Sequence, residues 1–467
     1  MSAFAAVLGV GTLLRSLALY DSPRAGSREA SLVTQIVEFT RYGVHGTLQL
    51  GDLPVYLVSL ATPQLAAIEA ATGAWGRAPN ALGAVRESGV VLWLAVSLLV
   101  WTVARRSGAG RGWSVCALAV LAVAPAAVTA ARQASPENVA ALWSLAAMAL
   151  AMSQRGSRSW WTGLGLVACL SLAVLSSPVA LGALPTVLLL YRRRADTNRV
   201  ALVTGAALFI AGLGAATALA TATSSTVTAN VHGHTPDWLN SGIFGPDLVT
   251  PALGLLVVLV APRLPAVQPA AVGLVLLPAL GMMFGAPVAA LTVPLLSVSL
   301  AIIGSRRAWD RLPGVLGRDH QRVAVLAATA LVAGLAVSYT PTLHLTQSQP
   351  TQRARAWLAA NVAPDQRVLT DRRTRVALVA GDSEWDRIET VEACRRTKVL
   401  PPAIAMPKRH CSEATLWITD PSVRSGMPPG NPLITVFDVP GSRHRIEVRG
   451  TDNTTQRTTG LELSRPN

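Results

Sequence analysis

Charge is what this chain lacks. No Asp, Glu, Lys or Arg occurs in residues 88–104, 113–131, 138–154, 159–191, 200–236, 248–262, 264–305 or 323–352. A charged side chain at the middle of a bilayer costs about 2.5–3.5 kcal/mol on insertion scales. A soluble core of this length would not avoid charge so consistently, so an ordinary soluble globular protein is excluded. Only 14% of the 467 residues are charged, 51% are hydrophobic, and the mean hydropathy is +0.42. That is the composition of a polytopic membrane protein.

Lysine is nearly absent, with Lys398 and Lys408 its only occurrences, so the net charge of +15 is arginine. In a soluble protein such a balance points to nucleic acid. Here basic loops held at the cytoplasmic face account for it, and no nucleic-acid partner is expected. Arginine in place of lysine, with abundant alanine, reads as the coding bias of a GC-rich, actinobacterial-type genome. Cysteine is scarce, with four residues. Cys116 and Cys169 fall in apolar spans and read as packing residues. Cys394 and Cys411 lie in the polar C-terminal part and form a candidate disulfide if that part faces an oxidising compartment.

A span needs about 20 apolar residues, fewer where protein shields it. Eleven are expected, near residues 2–20, 88–104, 113–131, 138–153, 160–175, 178–190, 200–221, 248–262, 270–285, 287–303 and 323–339. The first has too little flanking charge and no clean small-residue cleavage site, so it reads as a retained span. Arginines fill every second loop: Arg105, Arg106 and Arg111; Arg155 and Arg158; Arg192, Arg193, Arg194 and Arg199; Arg263; then Arg306, Arg307, Arg311, Arg318 and Arg322. The positive-inside rule makes these cytoplasmic. Residues 21–87, 132–137, 221–247 and everything after 340 are then outside. The N-terminus lies inside and the C-terminus outside, in agreement with a Cys394–Cys411 bridge.

The expected architecture is an all-α polytopic membrane domain over residues 1–345, followed by a small extracytoplasmic α/β domain over 346–450 and a flexible polar tail, 451–467. Within the α/β part, 352–361 reads as a helix. Residues 367–370, 415–419, 433–439 and 444–448 read as short strands.

The acids concentrate in the long first outer loop, 21–87: Asp21, Glu29, Glu38, Asp52, Glu69 and Glu87. Long loops between spans are functional or disordered, and this one is not of low complexity. A carboxylate held at the boundary of lipid and water is placed to deprotonate an acceptor hydroxyl. Arg15, near the outer end of the first span, is a candidate phosphate ligand by its position in the membrane, or a residue that snorkels outward. Arg132 and Glu137 flank a short outer turn, where an arginine runs against the positive-inside trend and suits a phosphate. His232 and His234, with Asp237 nearby, form a pair too incomplete to commit to a metal. No cofactor is assigned.

The order of these features resembles the GT-C integral-membrane glycosyltransferases, specifically the polyprenyl-phosphate-sugar enzymes related to protein mannosyltransferases and aminoarabinose transferases. Arg15 is followed by Arg28-Glu29-Ala30, Gly43 and Asp52-Leu53-Pro54-Val55-Tyr56, similar to that family's Arg, Asp-Glu-Ala and Pro-Pro-Leu-Tyr motifs. Arg86 resembles the arginine that opens its next helix, and the 132–137 turn its second short outer loop. Residues 163–185, with Leu175-Ser176-Ser177-Pro178, resemble its Leu-Thr-Lys-Gly helix pair. Residues 351–371, with Ala356-Trp357-Leu358 and Arg367-Val368-Leu369, resemble the opening of its periplasmic domain.

The resemblance implies a multi-pass protein of a bacterial plasma membrane. It would move a sugar from a polyprenyl-phosphate donor to an acceptor glycan, lipid or protein on the outer face. Glu29 or Asp21 would be catalytic. Arg15, Arg28, Asp52, Arg86, Arg132 and Glu137 would bind substrate. The chain departs from the pattern at two points: Arg28 stands where the family has its catalytic Asp, and the lysine of the helix-pair motif is missing. An inactive member acting as a scaffold or partner in envelope assembly therefore stays open beside the transferase. A transporter is the third reading. It is opposed by the short inner loops and by the absence of charge in the later spans.

Overall fold

The computed structural model describes residues 2–16, 19, 29–30, 32–34, 81–153, 160–192, 203–206, 212, 249–260, 267–284, 288–303, 349–363, 366–379, 387–390, 416–419, 433–438 and 445–450. They fall into two compact units. The first takes residues from 1–17, 39–68 and 87–343, and the second from 18–38, 69–86 and 344–467.

The first unit is a bundle of helices. They are α1 (Ser2–Ser16), most of α2 (Ala81–Arg106), α3 (Arg111–Val123), α4 (Pro125–Arg132), α5 (Pro136–Ala151), α6 (Trp160–Ser176), a 3-10 turn (Pro178–Ala183), α7 (Leu184–Arg192), α8 (Val249–Val260), α9 (Gln268–Phe284) and α10 (Ala289–Ile303). Prolines mark several starts. Pro125, Pro136 and Pro178 each open an element, where the missing N–H has no intrahelical partner to lose. The core between the helices is a mixture of alanine, valine and leucine, with Leu118, Leu121, Leu166, Leu170, Leu277 and Leu296 among its most fully buried side chains.

Small residues let these helices approach closely. A Cβ on Gly89 would stand 2.6 Å from the Ala131 carbonyl oxygen, so α2 needs glycine where it crosses the end of α4. A Cβ on Gly273 would stand 2.5 Å from Thr186 Oγ1. That hydroxyl is itself committed, donating to the Pro269 carbonyl at 2.7 Å.

Among the described residues, one helix, Val85–Arg106, is long and apolar enough to cross a membrane, and the α3–α4 pair makes a second if counted as one broken span. Shorter apolar helices are Ala3–Ser16, Trp160–Ser176, Pro178–Arg192, Gln268–Gly281 and Ala289–Ile303. The continuous span expected over 113–131 is instead bent by 61° between α3 and α4. Pro125 is the reason: it cannot donate to the Leu121 carbonyl, and its ring crowds the preceding turn. The spans expected near 200–221 and 323–339 lie largely or wholly outside the described residues.

The second unit contains α11 (Gln349–Asn361), β1 (Val368–Thr370), α12 (Arg372–Leu378), β2 (Ile388–Thr390), β3 (Leu416–Thr419), β4 (Leu433–Asp438) and β5 (Arg445–Gly450). The strands form one mixed sheet in the order β2-β1-β3-β5-β4. β1 lies parallel to both β2 and β3, and β5 is antiparallel to β3 and β4. Parallel neighbours need a crossover, and α12 supplies it between β1 and β2. Asp371 caps α12, accepting from the Thr374 N–H at 3.0 Å and the Thr374 hydroxyl at 2.6 Å. The helix α12 and the strand β2 were not expected from the sequence.

Candidate active site

Arg15 lies in the last turn of α1 and is fully buried. Its guanidinium donates to the carbonyls of Leu121 at 2.8 Å, Ala122 at 2.9 Å and Gly11 at 3.1 Å. It also stacks on the Trp93 ring, 3.9 Å from its centroid. Leu121 is the residue whose acceptor Pro125 leaves unserved. Arg15 therefore supplies, from another helix, the hydrogens that the α3–α4 break removes. These contacts hold the side chain inside the bundle, and it does not snorkel outward.

At the far end of α4, Arg132 is buried in the final turn. The turn that follows is fixed by side chains. Asn138 Nδ2 donates to the Ala130 and Gln133 carbonyls at 2.9 and 3.0 Å, closing the end of α4. Ser135 is the N-cap of α5, its hydroxyl accepting from the Glu137 N–H at 3.2 Å. Pro136 and Glu137 occupy the first turn, where the helix dipole favours a carboxylate.

Glu137 is 1% exposed. The Ser135 hydroxyl donates to its Oε2. The Ser177 hydroxyl, at the start of the 3-10 turn, donates to its Oε1 at 3.3 Å. Two short loops thus converge on one buried acid. Hydroxyl donors of this kind satisfy the oxygens of a carboxylate that has left water.

Glu29 and Arg86 belong to the second unit and are also buried, at 6% and 0% exposure. Arg86 Nε donates to Glu29 Oε1 at 2.9 Å and its Nη2 to Oε2 at 2.8 Å, a two-point fork. Arg86 Nη1 donates to the Leu19 carbonyl at 3.0 Å. The sequence separation is 57 residues for the fork, so no local pattern announces it.

Of the residues singled out in the sequence, Arg15, Glu29, Arg86, Arg132 and Glu137 are therefore buried and engaged. Asp21, Arg28, Asp52, His232, His234, Cys394 and Cys411 lie outside the described residues. In the first unit Trp93 stands against Arg15, and Ser135 and Ser177 against Glu137, none of them selected by sequence reasoning. Ser135 was legible: Ser-Pro-Glu before an apolar run is a helix-start pattern. Ser177 was noticed only as a departure from a lysine. Among the described residues, no three His, Cys, Asp or Glu side chains stand together as a metal would require.

The fold is similar to that of solved structures. ArnT from Cupriavidus metallidurans in its apo state shares it, with a TM-score of 0.52 over 96% of this chain and 97% of that one, at 13% identity. The same protein bound to undecaprenyl phosphate gives 0.49, over 100% and 98% at 13% identity. The Archaeoglobus fulgidus oligosaccharyltransferase in its apo form gives 0.47, over 89% and 69% at 11% identity. No family model matches the chain, and no curated protein matches it in sequence.

Proposed function

We propose that the protein is a membrane glycosyltransferase. It moves a sugar from a polyprenyl-phosphate donor to an acceptor hydroxyl at the outer face of a bacterial plasma membrane. The observation that carries this reading is the fold shared with ArnT along almost the whole of both chains. The ordered motifs from Arg15 to Leu369 support it, as does the burial of the carboxylates of Glu29, Glu87 and Glu137 in a chain with so few charges.

In this reading Glu29 or Asp21 takes the proton of the acceptor hydroxyl as the new glycosidic bond forms. The bond from the anomeric carbon to the lipid phosphate breaks, and the phosphate leaves as an anion. Arg86 orients Glu29 through the fork. Arg28, Arg132 and Arg15 are the proposed cations for the phosphate, Asp52 and Glu137 the proposed contacts to sugar or acceptor. The Ser135 and Ser177 hydroxyls position Glu137. Residues 346–450 are the proposed extracytoplasmic domain, and Cys394–Cys411 its proposed bridge.

A second reading has its own observation. Arg28 replaces the expected Asp, and both oxygens of Glu29 are taken by Arg86. These favour an inactive GT-C-fold protein kept as a scaffold in envelope assembly.

A transfer assay separates the two. The full chain in lipid nanodiscs receives a panel of labelled polyprenyl-phosphate sugars and a membrane acceptor extract, beside Asp21→Asn, Glu29→Gln and Glu137→Gln variants whose thermal stability is measured in parallel. Consumption of one donor by the wild type, reduced at least 100-fold in a stable variant, supports the transferase. Consumption of no donor by a folded wild type that still binds polyprenyl phosphate supports the scaffold.

A further inference from the structure

One end of the helical unit gathers arginine and tryptophan. The Ser107–Gly110 turn joins Arg105 and Arg106, at the end of α2, to Arg111 at the start of α3. The end of α5 is tied to the same place: Arg106 Nη1 donates to the Ala149 carbonyl, and the Ser107 hydroxyl lies 3.6 Å from Met152 Sδ. α6 pairs with α5 and begins here with Trp160 and Trp161. α7 ends beside them, since a Cβ on Gly163 would stand 3.7 Å from the Tyr191 hydroxyl, and Arg192 follows. The N-terminus of α1 is also here, with Phe4 packed edge-on against Trp101 at 5.0 Å.

Arg105, Arg106, Arg111 and Arg192 are all exposed. So are Trp160 and Trp161, at 61% and 64%, with their rings 3.9 Å apart, and Leu164 one turn further along. No acidic residue stands among the described residues of these helix ends. Glu137 is at the opposite end of α5. Exposed indole pairs are costly in bulk water and settle where one edge meets acyl chain and the other meets headgroups. Guanidinium forks match phosphate oxygens.

We infer that this end is a docking surface for anionic phospholipid. The arginines hold the lipid phosphates, and the Trp160–Trp161 pair sits at the level of the glycerol backbone of the same leaflet. The inference does not rest on transferase activity, and it can fail while that reading stands.

The test uses the purified full chain and two lipids, phosphatidylglycerol and phosphatidylcholine. Native mass spectrometry counts bound lipid for the wild type, for Arg111→Gln with Arg192→Gln, and for Arg445→Gln, in the second unit, as a control. The wild type is expected to retain phosphatidylglycerol in preference. The double variant loses about fivefold of that preference for each arginine removed, while the control keeps it. An unchanged preference in the double variant overturns the inference, and so does an equal loss in the control.

Fluorescence supplies a second arm that leaves the arginines intact. In vesicles of phosphatidylglycerol brominated high on the acyl chain, the wild type is expected to be quenched more than a Trp160→Phe, Trp161→Phe variant. Equal fractional quenching overturns the placement of the pair.

Discussion

Arg86 grips both oxygens of Glu29, at 2.9 and 2.8 Å, with neither side chain open to solvent. Removing one partner of such a pair leaves a charge buried without compensation, at about 3–5 kcal/mol. Glu29→Met and Arg86→Met are each expected to lower the unfolding temperature sharply. The Glu29→Met, Arg86→Met double variant is expected to recover most of the loss. Thermal unfolding of the four proteins measures the coupling, and additive losses would show that the fork contributes nothing specific. If the double variant recovers stability as expected, it also separates catalysis from folding, because it lacks Glu29.

Arg15 and Pro125 form a different kind of pair. Proline withdraws a backbone donor from the Leu121 carbonyl and the guanidinium replaces it. An unmade buried hydrogen bond costs about 1–3 kcal/mol. Arg15→Met is expected to destabilise by at least that amount. Adding Pro125→Ala restores an N–H at position 125 and is expected to return part of the stability. If Pro125→Ala destabilises the Arg15→Met protein further, the replacement argument is wrong.

Gly89 and Gly112 are both helical glycines with opposite surroundings. A Cβ on Gly89 meets the Ala131 carbonyl oxygen at 2.6 Å, whereas one on Gly112 meets nothing within 4 Å. Gly89→Ala must displace the backbone that leads into the Ser135–Glu137 turn, at about 1–3 kcal/mol. Gly112→Ala is expected to be neutral or to stabilise by up to about 1 kcal/mol. Equal stability of the two variants would mean that α2 and α4 do not approach as closely as the structure has them.

Thiol chemistry tests the proposed disulfide. Cys116 and Cys169 are free. Alkylation of the denatured, unreduced protein is expected to add two groups, and alkylation after reduction four, read by intact mass. Four groups without reduction would remove the Cys394–Cys411 bridge from the account.

Much of the fold was legible. Charge-free runs located several helices because a single arginine inside an apolar span is expensive, and arginines stand at helix ends: Arg106 closes α2, Arg111 opens α3, Arg132 closes α4 and Arg192 closes α7. The strands at Val368–Thr370, Leu416–Thr419, Leu433–Asp438 and Arg445–Gly450 fall within two residues of their expected positions. Alternating β-branched residues between turn residues are a local signal. β2 escaped because three residues, Ile388–Thr390, are too few to show a period.

The sequence by itself determined the class of architecture, the arginine-rich end and the identity of the unusual charges. Each of these follows from local composition. Only the tertiary structure decided what those charges touch. The Leu121 and Ala122 carbonyls reach Arg15 across 106 and 107 residues, Glu29 meets Arg86 across 57, and Ser177 meets Glu137 across 40. The sheet order β2-β1-β3-β5-β4 is likewise set by which edges pair. A buried polar group must find a partner wherever the chain can bring one, and sequence patterns of 2 or 3.6 residues carry no information over such distances.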